Sequence, residues 1–478
     1  MGPRLLSRLG STLGARLVMA AVNFGLFWAL SHTLDVGSLG SYALLMNLFY
    51  MAQGLPLLGL SVPLERRAAA QPETLAQELS NALTIALPVG AALGLGIAAW
   101  GALAHGPALA LPFALLGAAV FVSAWILVAE SVLMGREEMA AIARRQCAEA
   151  VLRLALALAV IALGGGLAGV MAVFLLLRVG LAAAYLRTGR LPRPRVGLLA
   201  RAIFRRNLSE MPVYFGIAML AGIVSRADAL VLDRVGGPAD VAMYTVASRL
   251  YDAALMLPTV VAIVLLPALA RLYASDAPRF RAGLAGMLLA VGGLGLPLAL
   301  GTAALAQPLM DLLYPPQYAA AAPILRWLMV AAWLTAIDQV LSSAMLASEA
   351  QHADFLSMAL SIAALAAGFA LAVPALGPLG AAVAVTLALL ARVAWRLRWL
   401  LRHHAAEGLG RRLLAGAACA AAGLGGLLAG LPHGALAALA GSWGALLLAG
   451  AASGALRPST LRGLRHWRER WAAGGTLD

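Results

Sequence analysis

Residues 81–134 read NALTIALPVGAALGLGIAAWGALAHGPALALPFALLGAAVFVSAWILVAESVLM, and Glu130 is the only acidic or basic side chain in them apart from His105. The stretch divides at His105-Gly106 into two apolar runs. Each exceeds the roughly 20 residues that a helix needs to cross the hydrocarbon core of a bilayer. Backbone N–H and C=O groups cannot be left unpaired in lipid, so runs of this kind predict spanning helices. The rest of the chain is alike: of 478 residues, 62% are apolar and 12% charged. Soluble domains average about 25% charged residues. This composition excludes a soluble enzyme or binding module and leaves no room for a separate catalytic domain.

Working outward from that pair, apolar runs separated by polar or Gly/Pro breaks predict an all-α integral membrane protein of about 14 transmembrane helices. They fall at 13–34, 39–63, 81–104, 108–134, 147–164, 167–187, 208–232, 241–270, 282–306, 318–347, 354–374, 377–399, 413–431 and 434–456. The second, eighth and tenth are long enough to be tilted or broken.

The formal net charge is +14, all 35 basic residues being Arg. Nucleic acid is not the partner this implies, because the Arg residues punctuate apolar runs instead of forming a face. With the N-terminus inside, the inner tails and loops hold 27 Arg and the outer loops one, Arg234. That asymmetry predicts that both termini are cytoplasmic. The outer loops are all short, which argues against a membrane-embedded glycan polymerase or ligase. Cys147 and Cys419 imply neither a disulfide framework nor a metal site. His403 and His404 lack a third ligand nearby, and no cofactor is implied.

A weak repeat relates two places. LDVGSLGSY carries Asp35 and Tyr42, and LDRVGGPADVAMY carries Asp233 and Tyr244. Each is followed by a long apolar helix ending in Arg. Helices one and seven run in the same direction, so the repeat is parallel. It predicts two pseudo-symmetric six-helix lobes plus a C-terminal helix pair. Residues 1–207 form the first lobe with a basic inner linker, 208–403 the second, and 404–478 the pair with a basic tail. Paired bundles of this kind suit an alternating-access transporter.

LSHTLDVGSLGSYALLMNLFYMAQGLPLLGLSVPLERRAA (30–69) resembles the opening helices of polysaccharide transporters, the O-antigen-flippase-like family of the multidrug/oligosaccharidyl-lipid/polysaccharide (MOP) exporter superfamily. SRADALVLDRVGGPADVAMYTVASRLYDAALMLPTVVAIVLLPALARLYA (225–274) resembles the start of the second half of that family, and LLYPPQYAAAAPILRWL (312–328) its entry into helix ten. The resemblance implies a flippase of the bacterial inner membrane. Its cargo would be an undecaprenyl-pyrophosphate-linked oligosaccharide, and membrane lipid and polysaccharide polymerase or assembly proteins its partners. The products served would be O-antigen, capsule or exopolysaccharide. The basic N-terminal signature of lipid II flippases is missing, which ranks that reading lower. A multidrug or small-molecule exporter of the same superfamily is the other alternative; its cleft would be acidic and aromatic.

Charges at membrane depth are costly and should face a cleft or one another. Arg178, Arg226 and Arg249 are the expected substrate-binding residues, because a guanidinium gives phosphate bidentate, charge-assisted bonds and never deprotonates. Asp228, Asp252 and Asp338 are expected as ion-coupling or salt-bridge residues. Arg249 and Asp252, three apart, can share a helix face. Arg153, Glu130 and Arg392 lie near enough to the inner surface to reach it. The tail RPSTLRGLRHWRERWAAGGTLD reads as an amphipathic surface helix on anionic lipid.

Overall fold

The structure, a computed structural model, describes residues 3–187, 191–192, 194–256, 269–275, 277–404 and 409–452. The amphipathic tail lies outside them. Among the described residues the regular structure is entirely helical. Among them six helices are long and apolar enough to cross a membrane, or seven if one bent pair is a single span. The chain is thus a multi-pass membrane protein. It divides into two compact units, residues 1–242 and 243–478.

The first unit contains α1 (Pro3–Thr33), α2 (Val36–Ala52), α3 (Ser61–Ala70), α4 (Leu75–Ala104), α5 (Pro107–Gly135), α6 (Met139–Ala162), α7 (Gly166–Arg187) and α8 (Arg201–Val235). Asp35 caps α2, its Oδ2 accepting from Ser38 N at 3.0 Å. Hydrogen bonds from Ser38 hold the Asp35 carboxyl below the usual carboxylate range. The long second run is broken. Between α2 and α3 the segment QGLPLLGL turns, with Leu58 at φ 49° and Gly59 at φ 81°. Pro56 has no N–H to continue the helix, and Gly59 tolerates the left-handed conformation.

The helices α4 and α5 cross where Gly94 meets Gly117. A Cβ on Gly94 would stand 2.4 Å from the Gly117 carbonyl oxygen, and the converse distance is 2.2 Å. Only bare backbones approach this closely, a device that suits helices in lipid, where close packing drives association. The core of the unit joins Leu57, Leu64, Leu79 and Ala86 to Val128 and Val132, and α5 also packs through Ile126 and Leu133 on Leu181 and Tyr185.

The segment before α8 is held against α4 by polar groups. Asn81 donates to Leu198 O and accepts from Ala200 N, both at 3.2 Å, and Ser80 Oγ accepts from Arg195 N at 3.2 Å. The buried carboxylate of Glu78 meets Arg67 at 3.3 Å and also Arg206, while Arg67 donates to Asn207 at 2.7 Å. Residues 194–207 are thereby held against α4 by hydrogen bonds and ion pairs of their own polar groups.

From α9 (Pro238–Ala254) the chain passes to the second unit. There follow α10 (Ala277–Ala304), α11 (Ala306–Leu313), a 3₁₀ turn (Pro316–Ala321), α12 (Ala322–Ala347), α13 (Gln351–Leu376), α14 (Pro378–His404), α15 (Leu409–Gly430) and α16 (Ala435–Ala452). The end of α10 and α11 meet at a bend of 63°. Phe280, Leu284 and Leu288 of α10 pack on Leu341 and Ala344 of α12 and on Val393 and Leu400 of α14. The run expected at 241–270 begins as α9; residues 257–268 are outside the described set.

Candidate functional site

In the first unit, α1, α2, α5, α6 and α7 bring together five charged side chains, Glu130, Arg145, Glu149, Arg153 and Arg178. Their arrangement corrects one expectation: Arg153 and Glu130 do not reach for the membrane surface. Arg153 is buried; it donates to Asn23 Oδ1, lies 3.9 Å from Glu149 Oε1, and sits over the Phe174 ring at 5.6 Å. Glu130 accepts from the Tyr185 hydroxyl at 2.8 Å and from Gln146 Nε2 at 2.9 Å. Arg145 covers the Tyr185 ring at 5.2 Å. Tyr185 is fully buried, and its hydroxyl needs this acceptor.

Arg178 is different. Its guanidinium carbon lies 4.7 Å from the Phe49 ring centroid and 5.4 Å from that of Phe174. Phe49 and Phe174 meet edge to face at 4.8 Å. Among the described residues Arg178 makes no hydrogen bond or ion pair, and its Nε is buried without a partner. Glu149 and Glu130 act on it electrostatically, and so does the like charge of Arg153. With three guanidiniums and two carboxylates, the group carries one uncompensated positive charge. Such a site has unused donors and favours an incoming anion.

Other expected residues have different settings. The helix carries Arg226 within α8, but its side chain lies outside the described residues. Asp228, also on α8, accepts from the N–H of Ala229 at 2.8 Å. Arg249 and Asp252 share one face of α9, 3.7 Å apart. Asp338 is buried on α12 between Arg392 at 2.8 Å and Arg396 at 2.7 Å, both from α14. Arg392, expected to reach the inner surface, instead turns inward to this carboxylate. Among the described residues no three His, Cys, Asp or Glu side chains converge as a metal would need.

Reasoning from sequence missed two constellations. Arg396, near the inner end of the expected 377–399 span, is 3% exposed and bonds Asp338, Asp354 and Ser357 together. Its place four residues after Arg392, one helical turn on the same face, was the available signal. The second is His105 in the α4–α5 turn, whose Nε2 lies 3.4 Å from Asp233 Oδ2 at the end of α8. His105 stacks on Phe113 at 5.0 Å, and Arg234 lies over Trp100 at 5.3 Å. Only the bare occurrence of a His between two spans hinted at it.

Comparison with solved structures gives the fold a context. The chain is similar to a lipid II flippase MurJ in an inward closed conformation, at 13% identity and TM-score 0.70, covering 93% of this chain and 98% of that one. It is similar to a multidrug resistance MATE family transporter of the MOP superfamily in its inward-facing conformation, at 18% identity and TM-score 0.56, covering 80% and 94%. A MOP superfamily transporter from Pyrococcus furiosus matches at 16% identity and TM-score 0.56, covering 84% and 94%. No curated protein matches the sequence significantly. The fold is that of the MOP superfamily, as the resemblance at 30–69 and 225–274 anticipated. The sequence profile of the family described as "Polysaccharide biosynthesis protein" matches residues 5–273, more than half of the chain, which therefore belongs to that family of MOP-superfamily transporters.

Proposed function

We propose that the protein flips an undecaprenyl-pyrophosphate-linked oligosaccharide across the bacterial inner membrane by alternating access, for O-antigen, capsule or exopolysaccharide synthesis. The observation that carries this reading is Arg178, which among the described residues makes no hydrogen bond or ion pair and is backed by Phe49 and Phe174. A guanidinium so held keeps its planar donor edge free for phosphate oxygens while the rings fix its orientation. Arg226 and Arg249 are proposed as further substrate-binding residues. Asp228 and Asp252 are proposed as coupling or pairing groups; Asp338, engaged by two guanidiniums, serves as a pairing group. No bond of the cargo is made or broken, so the protein is no enzyme in this reading. The lobes are residues 1–207 and 208–403, with 404–478 as an appended pair. Both termini are cytoplasmic, in keeping with the Arg asymmetry. Polymerase and assembly proteins would receive the flipped units.

A second reading, lipid II flipping, is favoured by one observation, the likeness over nearly the full length of both chains to a protein named for that activity. Deleting the gene in its host separates the two. Loss of surface polysaccharide, with intact repeat units trapped on the inner leaflet and restored by the wild-type gene but not by Arg178→Gln, supports the first reading. Accumulation of lipid II with normal polysaccharide supports the second. Repeat units that reach the outer leaflet but stay unpolymerised overturn both.

A further inference from the structure

The second unit contains a cavity of about 300 Å³ that the transport reading does not use. It lies where the α10–α11 bend, the second turn of α12 and the turn between α15 and α16 meet. Gln307, Pro308, Asp311, Arg326, Leu431 and Ala435 are among its lining residues. Its volume is at the lower limit for small-molecule sites, too small for a lipid-linked oligosaccharide head.

Arg326 decides what the cavity can take. It is one of the basic residues inside an expected span, and among the described residues it has no hydrogen-bond or ion-pair partner. Its Nε is buried and unsatisfied. An unpaired guanidinium beside an open cavity favours a phosphate or carboxylate arriving from outside. Asp311 lines the same cavity without pairing with Arg326. Its Oδ1 accepts from Gln307 Nε2 at 3.0 Å, and that single neutral donor leaves the rest of the carboxylate unneutralised. A cation and an anion that both line one cavity and ignore each other complement a dipolar ligand of the opposite order. Such a ligand places a phosphate at Arg326 and an ammonium at Asp311.

The surroundings indicate where the ligand comes from. Pro308, Leu431 and Ala435 supply apolar wall. Leu312 and Leu436, next in the chain to two lining residues, are 79% and 78% exposed, a condition that suits acyl chains and not water. Trp327, beside Arg326, is also exposed, as tryptophans at the headgroup level of a bilayer are. We propose that this cavity binds the headgroup of an aminophospholipid, phosphatidylethanolamine being the probe, and so inserts a lipid between α16 and the bent α10–α11 element.

The test uses the full chain, purified in detergent, delipidated, and titrated with phosphatidylethanolamine, phosphatidylcholine, phosphatidylglycerol, inorganic phosphate and soluble phosphoethanolamine. Bound lipid is read by native mass spectrometry, and a melting curve checks that each variant is folded. Phosphatidylethanolamine should bind the wild type about tenfold more tightly than the other two lipids, the discrimination of one charge-assisted contact. Arg326→Gln should reduce it to the level of the other lipids. Asp311→Asn should remove the preference over phosphatidylglycerol while leaving binding. Ala435→Leu should block binding by filling the cavity with both charges in place. Retention of phosphatidylethanolamine by both Arg326→Gln and Ala435→Leu would overturn the proposal. Equal binding of phosphatidylglycerol or inorganic phosphate to the wild type would make it an anion site, and equal binding of soluble phosphoethanolamine a site for a free solute; either result also overturns it.

Discussion

Arg396 and Asp338 form a buried ion pair at 2.7 Å, and the same guanidinium reaches Asp354 at 2.8 Å and Ser357 at 2.8 Å. One side chain of α14 thereby ties together α12 and α13. The two carboxylates are balanced by two guanidiniums, Arg392 supplying the second. A charge-balanced cluster of this kind, in which Arg392 Nε alone among the guanidinium nitrogens is buried without a hydrogen bond, is a fixture of the helix packing.

Removing one member leaves the rest uncompensated. Arg396→Ala should destabilise the protein by about 3–5 kcal/mol, the cost of a broken buried pair. Melting temperature in detergent and yield in the membrane fraction measure it. Asp338→Asn should lower both as well. A variant Asp338→Asn of full stability whose transport no longer depends on an ion gradient would instead assign Asp338 to coupling.

Arg178 has the opposite character, since among the described residues it makes no hydrogen bond or ion pair. Arg178→Gln should therefore leave the stability within about 1 kcal/mol of wild type, because the loss is that of ring contacts and of attractions to Glu149 and Glu130 that the repulsion from Arg153 offsets. Transport should fall by about tenfold or more, the worth of a charged hydrogen bond of about 1.5–3 kcal/mol. Arg178→Lys should recover only part of it, because an ammonium has no planar fork. A complementation assay normalised to protein level reads both.

The 3.4 Å contact of His105 with Asp233 joins the α4–α5 turn to the end of α8. Both residues lie in the compact unit 1–242, but if the proposed lobes 208–403 and 1–207 move against each other, this contact opens and closes in the cycle. His105→Cys with Asp233→Cys, in a background of Cys147→Ala and Cys419→Ala, should crosslink with a short bifunctional maleimide and stop transport. Crosslinking without loss of transport would show that the contact stays closed throughout the cycle.

At the crossing of α4 and α5, Gly94→Leu or Gly117→Leu should force the helices apart. Overpacking of this kind costs about 1–3 kcal/mol, and more when backbone is the obstacle. Loss of folded protein in the membrane fraction is the expected result. Gly96→Leu, where a Cβ meets nothing within 4 Å, is the control that should fold normally.

The cap of α2 gives a pH prediction. The Asp35 carboxyl is held below its usual range by Ser38, so the cap stabilises the fold above the unfolded value of about 3.9. That contribution is lost as pH falls through the lower, folded value. Asp35→Ala should cost about 1 kcal/mol near neutrality. The gap to wild type should close as both are melted at pH values descending below about 3.9.

Taken alone, the sequence established the helical membrane class, and the segments 30–69 and 225–274 pointed to the superfamily. Those are properties of order along the chain: apolar length sets what can cross lipid, and Gly/Pro breaks set where it turns. The break after Ala52 was legible for the same reason, since Gln53–Leu60 contains Pro56 and Gly59. What each intramembrane charge does was decided only by tertiary structure. Arg153, Arg178, Arg326, Arg392 and Arg396 look alike in an apolar run, yet three are engaged by carboxylates, one rests between phenyl rings and one lines a cavity. The reason is physical. Hydropathy is a sum over a helix and ignores rotation about its axis, whereas a guanidinium's partner depends on that rotation and on which neighbouring helix supplies the facing side chain.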